Sequence, residues 1–258
     1  LDGKYKAAKA SGNPIGTPDL MALAAKGLIG TPYVAGTLDE DPMEEKMRIY
    51  LTKTDCMIFV ETCLNLARTV AEAGDTTPSF GRFVSNMAGT RYRQDPPYSY
   101  SDRIHYTTEW IRRQEGRLVD LTVELGGVEH NHPIYFMSGH PKSYKQLEDA
   151  GSIPRAALDL RNIEEIEKDL NKIPMTQIPK DRISSSAKGI KSGDIICFVS
   201  TVEGLDVAHM AIAYVNDGRV GFIHASQKDG KVEVDPLTIE EYVTRRSNLS
   251  GIKVVRPL

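Results

Sequence analysis

The segment DIICFVSTVEGLDVAHMAIAYVNDGRVGFIHA, residues 194–225, decides the fold class of the chain. It alternates runs of β-branched and aromatic residues with turn residues, a pattern typical of antiparallel strands. Asn216-Asp217-Gly218 lies between two such runs and predicts a tight hairpin. We therefore predict strands over 194–199, 207–215 and 220–225, and further strands over 231–234 and 252–255.

A long apolar segment upstream predicts a buried helix from about Asp55 to Ala73, because apolar residues occur on nearly all of its sides. Thr17-Pro18-Asp19 combines a capping oxygen, a proline and an acid, and predicts a helix that ends near Gly30. Helices followed by an antiparallel meander indicate an α+β fold. Other helices are predicted over 106–114, over 163–173 and after Thr238.

Three other segments carry weaker patterns. Residues 1–16 are polar and rich in Gly and Lys, and we expect them to form a loose tail. Residues 74–104 are rich in Gly, Pro, Ser, Asn and Arg, and predict a long loop. Residues 118–123 alternate between apolar and polar side chains, which favours a short strand.

The composition argues against two classes of protein. The 258 residues have a net charge of −3, whereas a nucleic-acid binder normally carries a basic face. No apolar run approaches the ~20 residues that cross a bilayer, so we expect no membrane span. The chain starts at Leu1 rather than Met, and we expect that an export signal preceding it was removed.

Cys56 is the candidate nucleophile among three cysteines. It lies at the start of the buried helix, where unpaired N–H groups and the helix dipole favour a thiolate. Position alone leaves open the alternative that Cys56 is one more core residue of an apolar helix. Cys63 and Cys197 lie within apolar runs, and we expect both to be small buried side chains.

Two histidines on predicted neighbouring strands could serve such a thiol. His209 lies in an apolar strand, where a rigid backbone could hold it as a base, although an isolated histidine there is more often a satisfied core residue. His224 follows fifteen residues later on the next strand of the hairpin. A residue at that place could receive the second ring N–H of His209 and fix its tautomer.

Five short motifs resemble, in order, the signatures of NlpC/P60 cysteine hydrolases. They are Gly30-Thr31-Pro32-Tyr33, 54–60 (TDCMIFV), 191–195 (KSGDI), 209–213 (HMAIA) and 222–226 (FIHAS). The resemblance implies a papain-like core, in which the nucleophile helix packs on an antiparallel sheet. It also implies that Cys56 is the nucleophile, His209 the base and His224 the orienting residue, with Tyr33 beside the nucleophile.

The interval between Cys56 and His209 is much longer than in compact members of that family. We therefore expect one catalytic domain over residues 17–258, with a large insertion at about 74–187. Within it, Arg103, His105, Tyr106 and Trp110 resemble the N-acetylmuramoyl-L-alanine amidase-like branch, the DUF1460 group. We expect these four residues to bind substrate, although each could instead be an exposed loop residue or packing of the insertion.

The resemblance implies a peptidoglycan amidase that cuts between N-acetylmuramic acid and L-alanine in the wall or in muropeptides, with no metal or other cofactor. The small Ser-Gly pair usual after the nucleophile is replaced by Met57-Ile58, which argues against recognition of a free amine. The alternatives are a D,L-endopeptidase that cuts the γ-D-glutamyl–diamino acid bond, a catalytically inactive wall-binding module, and an acyltransferase. We expect an exported monomer of the periplasm or cell envelope.

Overall fold

One antiparallel sheet of eight strands organises the protein, whose computed structural model describes residues 1–39, 45–97, 99–140, 149, 151 and 153–258. The strands follow the order β2-β3-β8-β4-β5-β6-β7, and β1 pairs with the other end of β8. They span Leu118–Asp120 (β1), Val128–His130 (β2), Met175–Pro179 (β3), Ile195–Ser200 (β4), Val207–Asn216 (β5), Arg219–Ser226 (β6), Lys231–Val234 (β7) and Leu249–Pro257 (β8).

Helices lie on both faces of this sheet, so the α+β prediction is confirmed. They span Asp2–Ala10 (α1), Thr17–Gly27 (α2), Cys56–Ala73 (α3), Phe80–Arg91 (α4), Thr107–Arg113 (α5), Phe136–Gly139 (α6), Ile153–Leu170 (α7), Ile183–Ser186 (α8) and Ile239–Thr244 (α9). In the part of the chain described, no helix is long and apolar enough to cross a membrane.

Two apolar cores follow from the alternation of side chains along the strands. On one face, Ile195 and Cys197 of β4 pack with α2 and α3. On the other face, Ile196 and Phe198 pack with α9. The sheet is therefore buried on both sides, which explains why its central strands carry almost continuous apolar runs.

Two predictions about the first hundred residues are wrong. Residues 1–16 are not a loose tail, because α1 forms and the Lys9 ammonium donates to Asp75 at 2.7 Å. Residues 74–104 are not one long loop, because they contain α4. Ser79 caps that helix by accepting from the Arg82 N–H, and Phe83 and Met87 bury its inner face against α3.

The predicted insertion contributes three strands to the main sheet. Both β1 and β3 pair with β8, and β2 pairs with β3. The segment around 74–187 is therefore built into the same sheet as the histidine strands. Only the short β1 was predicted from the local pattern, because β2 and β3 are held by partners that are distant in sequence.

A buried ion pair ties α4 to α3. The Arg91 guanidinium lies 2.8 Å from the Glu61 carboxylate, and both side chains are 2% exposed. Arg91 also donates to the Arg48 carbonyl at 2.6 Å, so one side chain joins three segments of the chain. Burial raises the pKa of Glu61, and Arg91 opposes that rise.

We predict that Arg91→Met lowers the free energy of unfolding by about 3–5 kcal/mol, because it leaves the Glu61 carboxylate buried without its cation. The double variant Glu61→Leu/Arg91→Met should cost less than Arg91→Met alone, because it removes both charges. Urea unfolding followed by circular dichroism measures both. A loss under about 1 kcal/mol for the single variant, as for an exposed pair, would contradict this role.

Candidate active site

The start of α3 is held in place by the segment that precedes it. Asp55 caps the helix by accepting from the Ile58 N–H at 2.8 Å. The Val34 N–H donates to the Thr54 carbonyl at 2.9 Å, and the Tyr33 N–H donates to the Gly230 carbonyl at 2.8 Å. Residues 31–34 thus connect the first turn of α3 to the end of the sheet and bring Tyr33 beside Cys56.

The Cys56 sulfur lies where strands β5 and β6 separate. The two strands pair from their hairpin as far as Ile212 and Ile223. The Ala213 N–H points to β4, so the N–H of Met210, on the opposite parity, points into the gap between β5 and β6. The backbone N–H groups of Met210 and Met57 lie near enough to the Cys56 sulfur to favour its thiolate form. The thiol is therefore next to the strand position that carries His209.

The two predicted histidines are in direct contact. His209 Nε2 lies 2.8 Å from His224 Nδ1, and their rings meet edge to face. His224 Nε2 in turn lies 3.2 Å from Asp235 Oδ2 and 4.0 Å from Glu233 Oε1. The histidines and the aspartate form a line of three polar groups, which we call the histidine relay.

An aromatic wall encloses the histidine relay. Phe198 stacks on His209, with ring centroids 5.7 Å apart, and Tyr242 of α9 contacts Phe198 at a tilt and Phe222 edge to face. Burial, then the charges of His224 and Arg246, lower the pKa of His209 to about 3. Burial also lowers the pKa of His224 to about 4, although Asp235 opposes that shift. Both imidazoles are therefore neutral at neutral pH.

The expectation that the helix start lowers the pKa of Cys56 is wrong. Burial of the sulfur, followed by the nearby Asp55 carboxylate, raises the pKa of Cys56 to about 11. The backbone hydrogen bonds from Met210 and Met57 offset only part of this rise. Desolvation thus outweighs the helix dipole, and the resting site holds a neutral thiol beside neutral imidazoles.

Tyr33 is the one predicted binding residue that lies beside the thiol. It is partly buried, and burial, followed by the charges of Cys56 and Asp55, raises its pKa to about 12. Its hydroxyl therefore keeps its proton at neutral pH and is available as a donor.

The four predicted binding residues of the insertion are engaged in contacts with other groups of the protein. Arg103 is buried and paired with Asp39 at 2.5 Å and with Glu45 at 3.8 Å. His105 bonds the Tyr100 carbonyl at 2.9 Å. Trp110 and Tyr106 are 0% and 1% exposed, and the Tyr106 hydroxyl donates to Glu167. In this structure, neither aromatic side chain lines a groove, because both are packed inside the protein.

Asp235 and Tyr242 belong to the site and were not predicted. The position of Asp235 could have been predicted from the pairing register of the β6–β7 hairpin. The β6–β7 hairpin places Glu233 opposite His224, so Asp235, two residues further on, is a diagonal neighbour on the same face. The Thr238 capping box predicted α9, but nothing in the sequence placed Tyr242 over the histidines.

A pocket of about 440 Å³ opens beside the histidine relay, a size typical of small-molecule sites. His209, His224 and Asp235 form one side of it, and Tyr242 and Arg246 of the α9 region form another. A thiol at a helix start and a pair of imidazoles in mutual contact are the types of group that acyl transfer through a thioester uses.

Comparison with known proteins identifies relatives that share this architecture. A family model described as AmiA-like, N-acetylmuramoyl-L-alanine amidase-like, matches residues 24–252. A crystal structure of an N-acetylmuramoyl-L-alanine amidase from Bacteroides uniformis is 29% identical with a TM-score of 0.80, over 93% of this chain and 98% of that one. These matches confirm the amidase-like branch that the motifs predicted.

Two further solved structures are similar. One, from Bacteroides fragilis and named provisionally as a xylanase, is 32% identical with a TM-score of 0.77, over 91% of this chain and 99% of that one. LPG0564 from Legionella pneumophila, of the DUF1460 family, is 19% identical with a TM-score of 0.70, over 100% and 94% of the two chains, and shares the fold. No curated protein sequence matches the chain.

We predict that iodoacetamide modifies Cys56 before Cys63 and Cys197, because Cys56 alone of the three is partly exposed. Since only the thiolate reacts and the pKa is about 11, the rate should rise roughly tenfold per pH unit between about pH 7 and 10. Peptide mapping by mass spectrometry measures the rate, and unfolded protein provides the control in which all three react. A rate that levels off below about pH 8 would show a stabilised thiolate instead.

Proposed function

The chain belongs to the AmiA-like family of N-acetylmuramoyl-L-alanine amidase-like proteins, and from this premise we propose that it hydrolyses the amide bond between N-acetylmuramic acid and L-alanine. Cys56 is the nucleophile, His209 the base and His224 the orienting residue. The observation that carries the proposal is the 2.8 Å contact between His209 of β5 and His224 of β6, because the residue after His209, Met210, has its backbone N–H near the Cys56 sulfur. This contact supports the papain-like arrangement that the sequence predicts.

The histidine relay fixes the proton positions that the base needs. In this scheme His224 carries its proton on Nε2, 3.2 Å from the Asp235 carboxylate, so His224 Nδ1 carries a lone pair. That lone pair accepts the Nε2–H of His209, which leaves His209 Nδ1 unprotonated. Asp235 acts in this scheme as a positioning residue two steps from the sulfur.

Attack and proton transfer are coupled, because the resting thiol is neutral. The Cys56 sulfur adds to the amide carbonyl while its proton passes to His209 Nδ1. The oxyanion is held by the Cys56 backbone N–H and the Tyr33 hydroxyl. His209 then protonates the departing L-alanine nitrogen and the C–N bond breaks, which leaves a thioester of the muramoyl lactyl group. A water molecule, deprotonated by His209, hydrolyses the thioester and regenerates the thiol.

Three other functions compete with this one. A D,L-endopeptidase uses the same cysteine chemistry on a bond within the stem peptide. Met57-Ile58 after the nucleophile disfavours recognition of a free amine, which such an endopeptidase uses to bind its substrate. A xylanase uses two carboxyl groups across the sugar bond, whereas Asp235 and Glu233 face His224. An inactive wall-binding module has no need of the His209–His224 contact.

We also propose that the enzyme acts in the periplasm or cell envelope, where peptidoglycan is found.

We predict a graded loss of kcat along the relay. His209→Ala should abolish turnover, and His224→Ala should leave a residual rate. Asp235→Asn should lower kcat by roughly ten- to hundredfold, because a hydrogen bond to a charged group contributes about 1.5–3 kcal/mol. The matched control is Glu233→Gln, which removes the more distant carboxylate beside the same imidazole and should change kcat little. Equal losses for Asp235→Asn and Glu233→Gln would contradict the tautomer role of Asp235.

The bond that is cut can be read from the products. Digestion of purified muropeptides should release intact stem peptides that begin with L-alanine and leave glycan free of peptide, as mass spectrometry would measure. Xylan and Cys56→Ser enzyme serve as controls, and neither should give product. L-Ala-D-Glu still attached to the sugar after complete digestion would replace the amidase by the endopeptidase, while release of xylose oligomers would favour the glycosidase.

A further inference from the structure

Arg246 has unused hydrogen-bond donors in the pocket beside the histidine relay. Its guanidinium carbon lies 3.3 Å from the centroid of the Tyr242 ring, so the group is held flat against the aromatic wall. One of its nitrogens donates to the Tyr242 carbonyl at 3.1 Å. Among the residues that the structure describes, no carboxylate lies within ion-pair distance of this guanidinium. An arginine fixed by stacking, with free donors directed at a pocket, is suited to bind a planar anion.

The carboxylates that line the same pocket are already engaged. Asp235 faces His224 and also accepts from the Leu237 N–H at 2.8 Å. Asp229 accepts from the Ser226 hydroxyl at 3.1 Å. Within the described ranges, these contacts leave the guanidinium of Arg246 without a carboxylate partner. Its charge is close enough to the catalytic centre to lower the pKa of both His209 and His224.

We propose that Arg246 binds a carboxylate of the substrate and that this carboxylate belongs to the departing stem peptide. The inference rests on the proposed amidase function. In an N-acetylmuramoyl-L-alanine bond, the lactyl carboxyl is consumed by the amide, so the sugar side has no free carboxylate. The first carboxylate on the peptide side is the α-carboxyl of the D-glutamyl residue, which is joined onward through its γ-carboxyl. Arg246 is thus a specificity-determining residue for an unamidated D-glutamyl group.

The test compares two substrates that differ in this one group. MurNAc-L-Ala-γ-D-Glu-L-Lys is offered with the glutamyl α-carboxyl free or converted to the carboxamide. The native enzyme should prefer the free acid in kcat/KM by roughly ten- to hundredfold, the range expected for a charged hydrogen bond. Arg246→Gln should bring the ratio of the two values close to one, and Arg246→Lys should restore part of it. Arg245→Gln, at the neighbouring exposed arginine, is the matched control and should keep the native ratio.

The outcomes separate the subsite from the reaction. A ratio near one for the native enzyme, or a native ratio in Arg246→Gln, overturns the subsite and leaves the amidase standing. If Arg246 served only to keep His209 neutral, Arg246→Gln would shift the pH profile equally for both substrates. Failure to cut either substrate overturns the proposed function.

The subsite can be tested independently by calorimetric titration of Cys56→Ser protein with L-Ala-γ-D-Glu-L-Lys and its α-amide. The free acid should bind tighter by the same factor, and only while Arg246 is present. Equal affinities would overturn the subsite whatever the enzyme cuts.

Discussion

The Met210 N–H lies near the Cys56 sulfur and not against a sheet partner, because strands β5 and β6 stop pairing after Ile212 and Ile223. A continuous ladder would use that N–H within the sheet. The separation leaves a donor for the first turn of α3 and room for the two histidines to meet. Contacts elsewhere in the molecule hold α3 and α9 in place beside this gap. Residues 31–34 bind the start of α3 to the sheet, the Glu61–Arg91 pair fixes the helix from behind, and α9 covers the histidine face with Tyr242.

The electrostatic character of the site follows from how deeply it is packed. Phe198, Phe222 and Tyr242 contact the imidazoles, and desolvation disfavours a charge on the thiol and on both imidazoles. A separated thiolate and imidazolium would therefore be costly at rest, whereas transfer of a proton over a short path during attack creates both charges side by side. In the proposed mechanism the thiol is therefore activated mainly when an acyl group is bound, and it should react only slowly with other electrophiles at neutral pH. In that proposal Asp235 acts less through its charge than through the tautomer that it favours in the two rings.

Local pattern predicted the fold elements near the site and little beyond them. The strands around His209 and His224 and the helix from Cys56 were found to within about a residue, because hydrophobic periodicity and turn chemistry are properties of neighbouring residues. The helix α4 was missed because Gly81 and Gly89 obscured its pattern, and β2 and β3 because their partners are distant in sequence. The same limit applied to the site. Recognisable motifs contain Cys56, His209 and His224. The mixture of charge and aromatic side chains at Arg103, Tyr106 and Trp110 suggested a binding surface, but all three side chains are buried.

The position of β8 has a consequence for how the protein forms. This strand pairs with β4 at the centre of the sheet, and it also receives β1 and β3. Leu118 thus finds its partner at Pro257, and Ile178 at Ile252. Long loops must close before these strands can pair, and loop closure lowers the conformational entropy of the chain. Folding should therefore be slow and dominated by late, non-local contacts. A nascent chain cannot complete the central sheet until residues 249–257 are available, so the candidate site forms only after β8 has been made.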